Sequence, residues 1–154
     1  MNIGSPIEVR VKSVLFYQEK GVAVILLEGP GGAWGLPILA KSSEVTPIAL
    51  TLEGQEPPRP LSHDLMASII QELKAHILQV LIDILEEPVC HGIIALDVQG
   101  REMDFDSRPS DAIALALRAK VPIFASSAIV AKGAIYFDLE DWSSNLVGKV
   151  KLEN

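Results

Sequence analysis

The tightest constraint on this chain is a pair of apolar runs, residues 76–85 and 89–98, parted only by Glu86, Glu87 and Pro88. Short apolar runs bounded by turn residues read as strands, and a break this brief leaves room only for a tight reversal between them. Gln99-Gly100 then turns the chain into residues 102–106, giving a three-stranded meander. The N-terminal third follows the same rules. Ile7, Val9 and Val11 alternate with Glu8, Arg10 and Lys12, the period-two pattern of a half-buried strand. Residues 22–27 form a continuous apolar run, and Gly29, Pro30, Gly31 and Gly32 send the chain back through residues 34–38 as a hairpin.

Helical patterns lie between the strands. Ser42 or Ser43 followed by Glu44 opens a helix running to about Gly54, in which Pro47 is tolerable only near the first turn. Glu56-Pro57-Pro58-Arg59-Pro60 is a connector of fixed shape, because the residue before each proline is pushed to an extended conformation. Ser62 is a natural N-cap for a helix to about Lys74, with Leu65, Ile69, Ile70 and Leu73 as its apolar stripe. Ser107-Arg108-Pro109-Ser110-Asp111 supplies cap residues, an early proline and a first-turn acid, and residues 112–118 continue that helix. Residues 121–125 read as a short buried strand, 126–132 as a helical turn ended by Gly133, and 134–138 as a last strand. Strand pairs joined by turns and mixed with about three helices predict an α+β fold. Its sheet is expected to be mixed and largely antiparallel, within one domain over residues 1–138, followed by a C-terminal tail, 139–154. No internal repeat or low-complexity segment interrupts this order.

Composition decides which functions stay open. With 154 residues, 49% hydrophobic and 21% charged, the chain is expected to fold around one core. Every apolar run stops well short of the roughly 18 residues that span a bilayer. The N-terminus enters a strand pattern without the basic stretch and apolar block of a secretory signal, so a cytoplasmic location is expected. Cys90 is the only cysteine, which excludes an internal disulfide or a thiolate-rich zinc site and reads as a buried, inert thiol. A net charge of −7 disfavours general attraction to a phosphate backbone. A local arginine cluster or a bound divalent cation can still hold one phosphate. Residues 29–32 lack the ending of a phosphate loop and are read as a turn.

Two segments concentrate Arg, Asp and His beside prolines: Arg59-Pro60-Leu61-Ser62-His63-Asp64-Leu65, and the stretch from Asp104 to Ala116. His63 and Asp64 fall at the first helical positions, where the dipole favours Asp64 as a carboxylate and His63 as a neutral imidazole. Such an imidazole can serve as general base or metal ligand; structurally, Asp64 would only complement the dipole while His63 bonds nearby backbone. Successive helix positions point about 100° apart, so this pair needs another element to chelate a metal. Asp104 and Asp106 share one strand face, and Asp111 lies a helical turn from Arg108. Together they can hold Mg²⁺ or Mn²⁺ through oxygen ligands while Arg108 grips a phosphate, or they can form an ion-pair network capped by Ser107 or Ser110. Arg59 reads as a buried structural pair, with phosphate binding as its functional role. His76 and His91, in apolar strand contexts, read as satisfied strand residues.

These segments resemble those of the bifunctional-nuclease family, whose members carry an RPLTHDL-like stretch followed by a DSRPSDAIALA-like stretch. Here they read RPLSHDL and DSRPSDAIALA, the second an eleven-residue match from Asp106 to Ala116. Leu36-Pro37-Ile38, with Glu44 six residues beyond, resembles the family's third marker, and the resemblance extends over residues 7–137. Leu39 stands where the family has an aromatic, Lys41 where it has glycine, and Cys90-His91 where it has an aromatic pair that would stack on bases. Ser62 replaces a threonine, and both hydroxyls cap helices.

The resemblance implies DNase or RNase activity. Its site would draw on His63, Asp64, Asp106 and Asp111 as catalytic groups, Arg59 and Arg108 on the substrate phosphate, and Glu44, Asp104 and Asp106 as ligands of Mg²⁺ or Mn²⁺. The competing expectation is a non-catalytic homo-oligomeric or partner-binding module in which the same residues hold the fold. On either account the two polar segments should meet in space. A homodimer is expected, because an apolar chain with short strands leaves a face or edge to cover.

Overall fold

The computed structural model describes residues 4–86 and 89–136. The N-terminal alternation becomes β1 (Ile7–Tyr17), longer than its period-two pattern because the register shifts between Val11 and Ser13. A bulge there moves the inward positions from Val9 and Val11 to Val14, so strict alternation ends while the strand continues. β2 (Val22–Glu28) is buried from Ala23 onward, which is why its sequence is continuously apolar. It pairs antiparallel with β1 and with β3 (Trp34–Lys41).

After α1 (Ser42–Leu52) and α2 (Ser62–Glu72) come the meander strands β4 (Ala75–Glu86), β5 (Val89–Val98) and β6 (Arg101–Ser107). The turn between β4 and β5 lies outside the described residues. A bulge between Ile77 and Gln79 leaves Leu78 exposed and carries the inward phase from Ala75 and Ile77 to Val80 and Ile82. At the next turn both Gln99 and Gly100 have positive φ, the geometry that tight hairpins require. The chain continues through α3 (Pro109–Ala119), β7 (Ile123–Ala125), α4 (Ser127–Gly133) and β8 (Ile135–Tyr136). The last predicted strand is thus described only in part, and the rest of it and the tail from Leu139 lie outside the described residues.

The sheet has eight strands in the order β6-β5-β4-β7-β1-β2-β3-β8, antiparallel throughout except where β4 meets β7. The fold is α+β, as expected, with four α-helices among the described residues rather than three. The fourth forms because the Ser126 hydroxyl accepts from the Ile129 N–H and because Ile129 and Val130 are buried.

α3 is the central helix. Residues 112–116 are all buried, and its small alanines let it approach β5 closely. A Cβ on Gly92 would lie 2.7 Å from Ala112 Cβ and 2.8 Å from Ser107 Oγ, so that approach requires glycine. α1 and α2 flank α3.

Three expectations about the helices change. Pro47 is the sixth residue of α1, where it denies an N–H to the Ser43 carbonyl. Ser62 is the first residue of α2, and Leu61 is the N-cap. The predicted stripe on α2 divides: Ile70, with Ala67, packs on the core, whereas Leu65, Ile69 and Leu73 are exposed. His63 takes the buried position instead. Among the described residues no helix is long and apolar enough to cross a membrane.

Candidate functional site

α1, α2 and α3 all begin at one cleft of about 810 Å³. Their N-caps are Lys41, Leu61 and Arg108, none of which carries a side-chain acceptor. First-turn amides therefore lack the usual cap from that residue, and the positive ends of three helix dipoles converge. Each helix answers with an acid at its third position: Glu44 in α1, Asp64 in α2 and Asp111 in α3.

Two arginines tie these acids together. Arg108 donates from Nε and Nη2 to both oxygens of Asp111, at 2.6 and 2.9 Å, and from Nη1 to Glu44 at 2.9 Å. This joins the starts of α1 and α3. Arg118 donates from Nε to Asp64 at 2.5 Å and from its other nitrogens to the carbonyls of Ala114 and Pro47, joining all three helices. Burial pushes the Asp111 carboxyl up, but hydrogen bonds from Arg108 and His63 outweigh it and hold Asp111 below the usual carboxylate range. Asp64 is likewise raised by burial and lowered further by Arg118 and the Leu61 N–H. The Asp111 hydrogen bond pushes the Arg108 guanidinium up.

The two polar segments meet where His63 Nε2 lies 2.9 Å from Asp111 Oδ1. An ionised carboxylate only accepts, so Nε2 carries a proton and donates it to Asp111. The His63 side chain is only 8% exposed and lines the cleft. Its Nδ1 is buried without a hydrogen-bond partner among the described residues. A buried polar atom left unpaired costs about 1–3 kcal/mol.

The other predicted residues separate from this pair. Asp64 and Arg118 line a second hollow with Pro57 and Pro60, which adjoins the cleft at Leu61. Arg59 is exposed and makes no hydrogen bond or ion pair among the described residues, so it is not the buried structural pair expected. Asp106 lines the cleft but does not pair with Arg108; its carboxylate, 79% exposed, bonds His91 Nδ1 at 2.9 Å. His91 is thus a satisfied strand residue, as expected.

Asp104 is exposed on β6 and does not line the cleft. No three His, Cys, Asp or Glu side chains among the described residues are grouped as a metal ion would need. Glu44 already accepts from Arg108 and, at 3.3 Å, from Ser110, so Glu44, Asp104 and Asp106 do not fit a bound metal as they stand. Neither predicted serine cap forms: Ser107 donates to the Gly92 carbonyl and Ser110 to Glu44. The sequence reading missed Arg118, although its place seven residues after Asp111 on one helix face was a usable signal. Lys41, noted only as a departure from the family pattern, also lines the cleft. Burial raises the Cys90 thiol, which suits an unreactive residue.

Two proteins of Mycobacterium tuberculosis, "Uncharacterized protein MT1877" of strain CDC 1551 / Oshkosh and "Uncharacterized protein Rv1829" of strain ATCC 25618 / H37Rv, are each 38% identical over 128 residues. The alignments cover 83% of this chain and 76% of each relative. Residues 24–138 match the bifunctional nuclease domain, a span that holds every cleft residue. The chain belongs to the bifunctional nuclease domain family.

Proposed function

We propose that the cleft binds and hydrolyses a phosphodiester of DNA or RNA. The observation that carries this reading is the convergence of three uncapped helix starts on a cleft that also holds the Asp111-oriented imidazole of His63. Helix N-termini present N–H groups and partial positive charge to a phosphate, which lets an acidic protein bind one locally. Arg108 has two of its five N–H donors left after its carboxylate bonds, and these with Lys41 offset charge on the phosphoryl oxygens. Water attacks phosphorus, a new P–O bond forms and the P–O bond to the leaving oxygen breaks. In this reading the His63 imidazole exchanges a proton with these oxygens, and Asp111 fixes the ring. Hydrolysis of a single-stranded oligonucleotide should fall at least about a hundredfold in His63→Gln with melting little changed. Equal rates from identically purified proteins, with and without Mg²⁺ or Mn²⁺, would refute the assignment.

A second reading is favoured by the exposed apolar ridge of Leu65, Ile69 and Leu73 along α2. Residues four apart stack on one helix face, so this ridge is a contact surface suited to a second copy of the chain. In that reading the arginine ties serve only to hold α1, α2 and α3 in place.

A further inference from the structure

The cleft has two chemically different ends. Lys41, Glu44, Arg108 and Asp111 stand with the helix starts, whereas Met66, Ile94 and Leu115 line it with apolar surface. Met66 follows Ser62 by four residues and Leu115 follows Asp111 by four, so each lies one turn further along its helix on the same side.

This apolar end does not stop at the cleft. Ile94 pairs with Phe105 of β6, and antiparallel partners project to the same face of a sheet. Helices cover that face, since the neighbouring pair, Gly92 and Ser107, lies against Ala112 of α3. Phe105 therefore carries the apolar surface out to the rim, on the strand at the free edge of the sheet, and it is 43% exposed. The other exposed aromatics among the described residues are Phe16 and Tyr136, and neither lines the cleft nor pairs with a residue that does. Asp104 and Asp106, the second at the cleft's edge, alternate with Phe105 and project to the opposite face, where Asp106 bonds His91.

We infer that this apolar shelf is a base platform: an unpaired nucleobase lies on the ring of Phe105, beside Ile94 and Met66, while its phosphodiester occupies the helix starts. This rests on the reading of the cleft as a phosphodiester site and narrows the substrate to single strands. A ligand that fits both ends joins a negative charge to a flat, weakly polar face, which is the make-up of a nucleotide. Every base has a π-face, so the platform is indifferent to sequence. In a duplex those faces are covered by neighbouring pairs, and a base reaches Phe105 only after it is unpaired and unstacked, at a cost.

The test is binding of the full chain, followed by fluorescence anisotropy, to three labelled DNA probes with hydrolysis-resistant phosphorothioate linkages. One is a short single strand, one is the same backbone with abasic residues in place of its bases, and one is a blunt hairpin duplex. The wild type should bind the single strand about ten- to hundredfold more tightly than either of the others, the value of stacking on one aromatic side chain. Phe105→Ala should bring the single strand down to the affinity of the abasic probe and leave the abasic probe unchanged. Phe105→Tyr should restore the preference, and Tyr136→Ala should keep it. Thermal melting checks that each variant is folded. Should Phe105→Ala fail that check, Phe105→Leu, which keeps apolar bulk at the sheet edge, takes its place.

Equal wild-type affinity for base-bearing and abasic strands, a preference that survives loss of the ring, tighter binding of the duplex, or no binding of any probe would each overturn the inference. A dimer that sediments as a monomer in Phe105→Ala, with probe binding unchanged, would assign the shelf to a second copy of the chain instead. Hydrolysis that depends on His63, with binding indifferent to bases and to Phe105, would sink this inference alone. Base-dependent binding without hydrolysis would sink only the nuclease reading.

Discussion

Replacing Arg118 with methionine tests whether Asp64 belongs to the scaffold or to the chemistry. Methionine keeps the apolar stem and removes the guanidinium, whose side chain is only 10% exposed in the folded protein. Breaking a fully buried ion pair costs about 3–5 kcal/mol, because the surviving charge is stranded. Asp64 is 31% exposed and keeps its bond from the Leu61 N–H, so the cost is discounted toward about 2 kcal/mol. Loss of the donors to the Ala114 and Pro47 carbonyls adds about 0.5 kcal/mol, since the first has a helical partner and the second contact is long, at 3.5 Å. A total near 2.5 kcal/mol lowers the melting temperature by about 5–10 °C for a domain of this size. Differential scanning calorimetry of wild type, Arg118→Met, Asp64→Asn and the double variant measures both the loss and the coupling between the pair. Coupling of about 1.5 kcal/mol or more, with hydrolysis per folded molecule retained, is expected. If Asp64→Asn instead abolished hydrolysis without lowering the melting temperature, the assignment of Asp64 to the scaffold would be wrong.

The remaining predictions concern charge, pH and assembly. Asp106→Asn should leave the melting temperature within about 1 °C of wild type, since its carboxylate is exposed and bonds only His91; a drop of several degrees would show a buried role. Asp64 and Asp111 have folded pKa values below those of the unfolded chain, so the stability they contribute is present above about pH 4 and is lost as pH falls through the folded values. Acid titration followed by near-ultraviolet circular dichroism should therefore show unfolding below about pH 4 in wild type and a weaker acid dependence in the Asp64→Asn, Asp111→Asn double variant. If the exposed ridge of α2 is a homodimer surface, Ile69→Glu should convert dimer to monomer in sedimentation velocity at micromolar concentration, and a wild type that sediments as a monomer would count against it.

The fold was largely readable from the residues because each strand carried its own signal. The continuous run at residues 22–27 proved to be a strand buried on both faces, and the runs at 76–85 and 89–98 proved to be the paired strands β4 and β5. Bulges were not readable, since the extra residue at Leu78 changes the inward phase without any glycine to mark it. The stripe on α2 misled for a physical reason: periodicity shows that a helix has an apolar face but not what covers it. Of the site, the pairing of the two polar segments followed from composition. Which carboxylate meets which cation did not, because Arg108 had Asp104, Asp106 and Asp111 all within reach in sequence. Packing α1 beside α3 settled the choice by bringing Glu44, 64 residues away, to Arg108.

The most direct test of the account is to map where a phosphodiester touches the protein. Titrating isotope-labelled protein with a thymidine dinucleotide joined by a hydrolysis-resistant phosphorothioate diester, and following backbone amide resonances, reports on the groups proposed to hold the phosphate. The largest shifts should fall at Ser43, Glu44, His63 and Ser110, in the first turns of α1, α2 and α3, and should saturate together. Shifts confined to the outer ridge of α2 or to the hollow around Asp64 and Arg118 would contradict the claim that the three helix starts form the phosphate site.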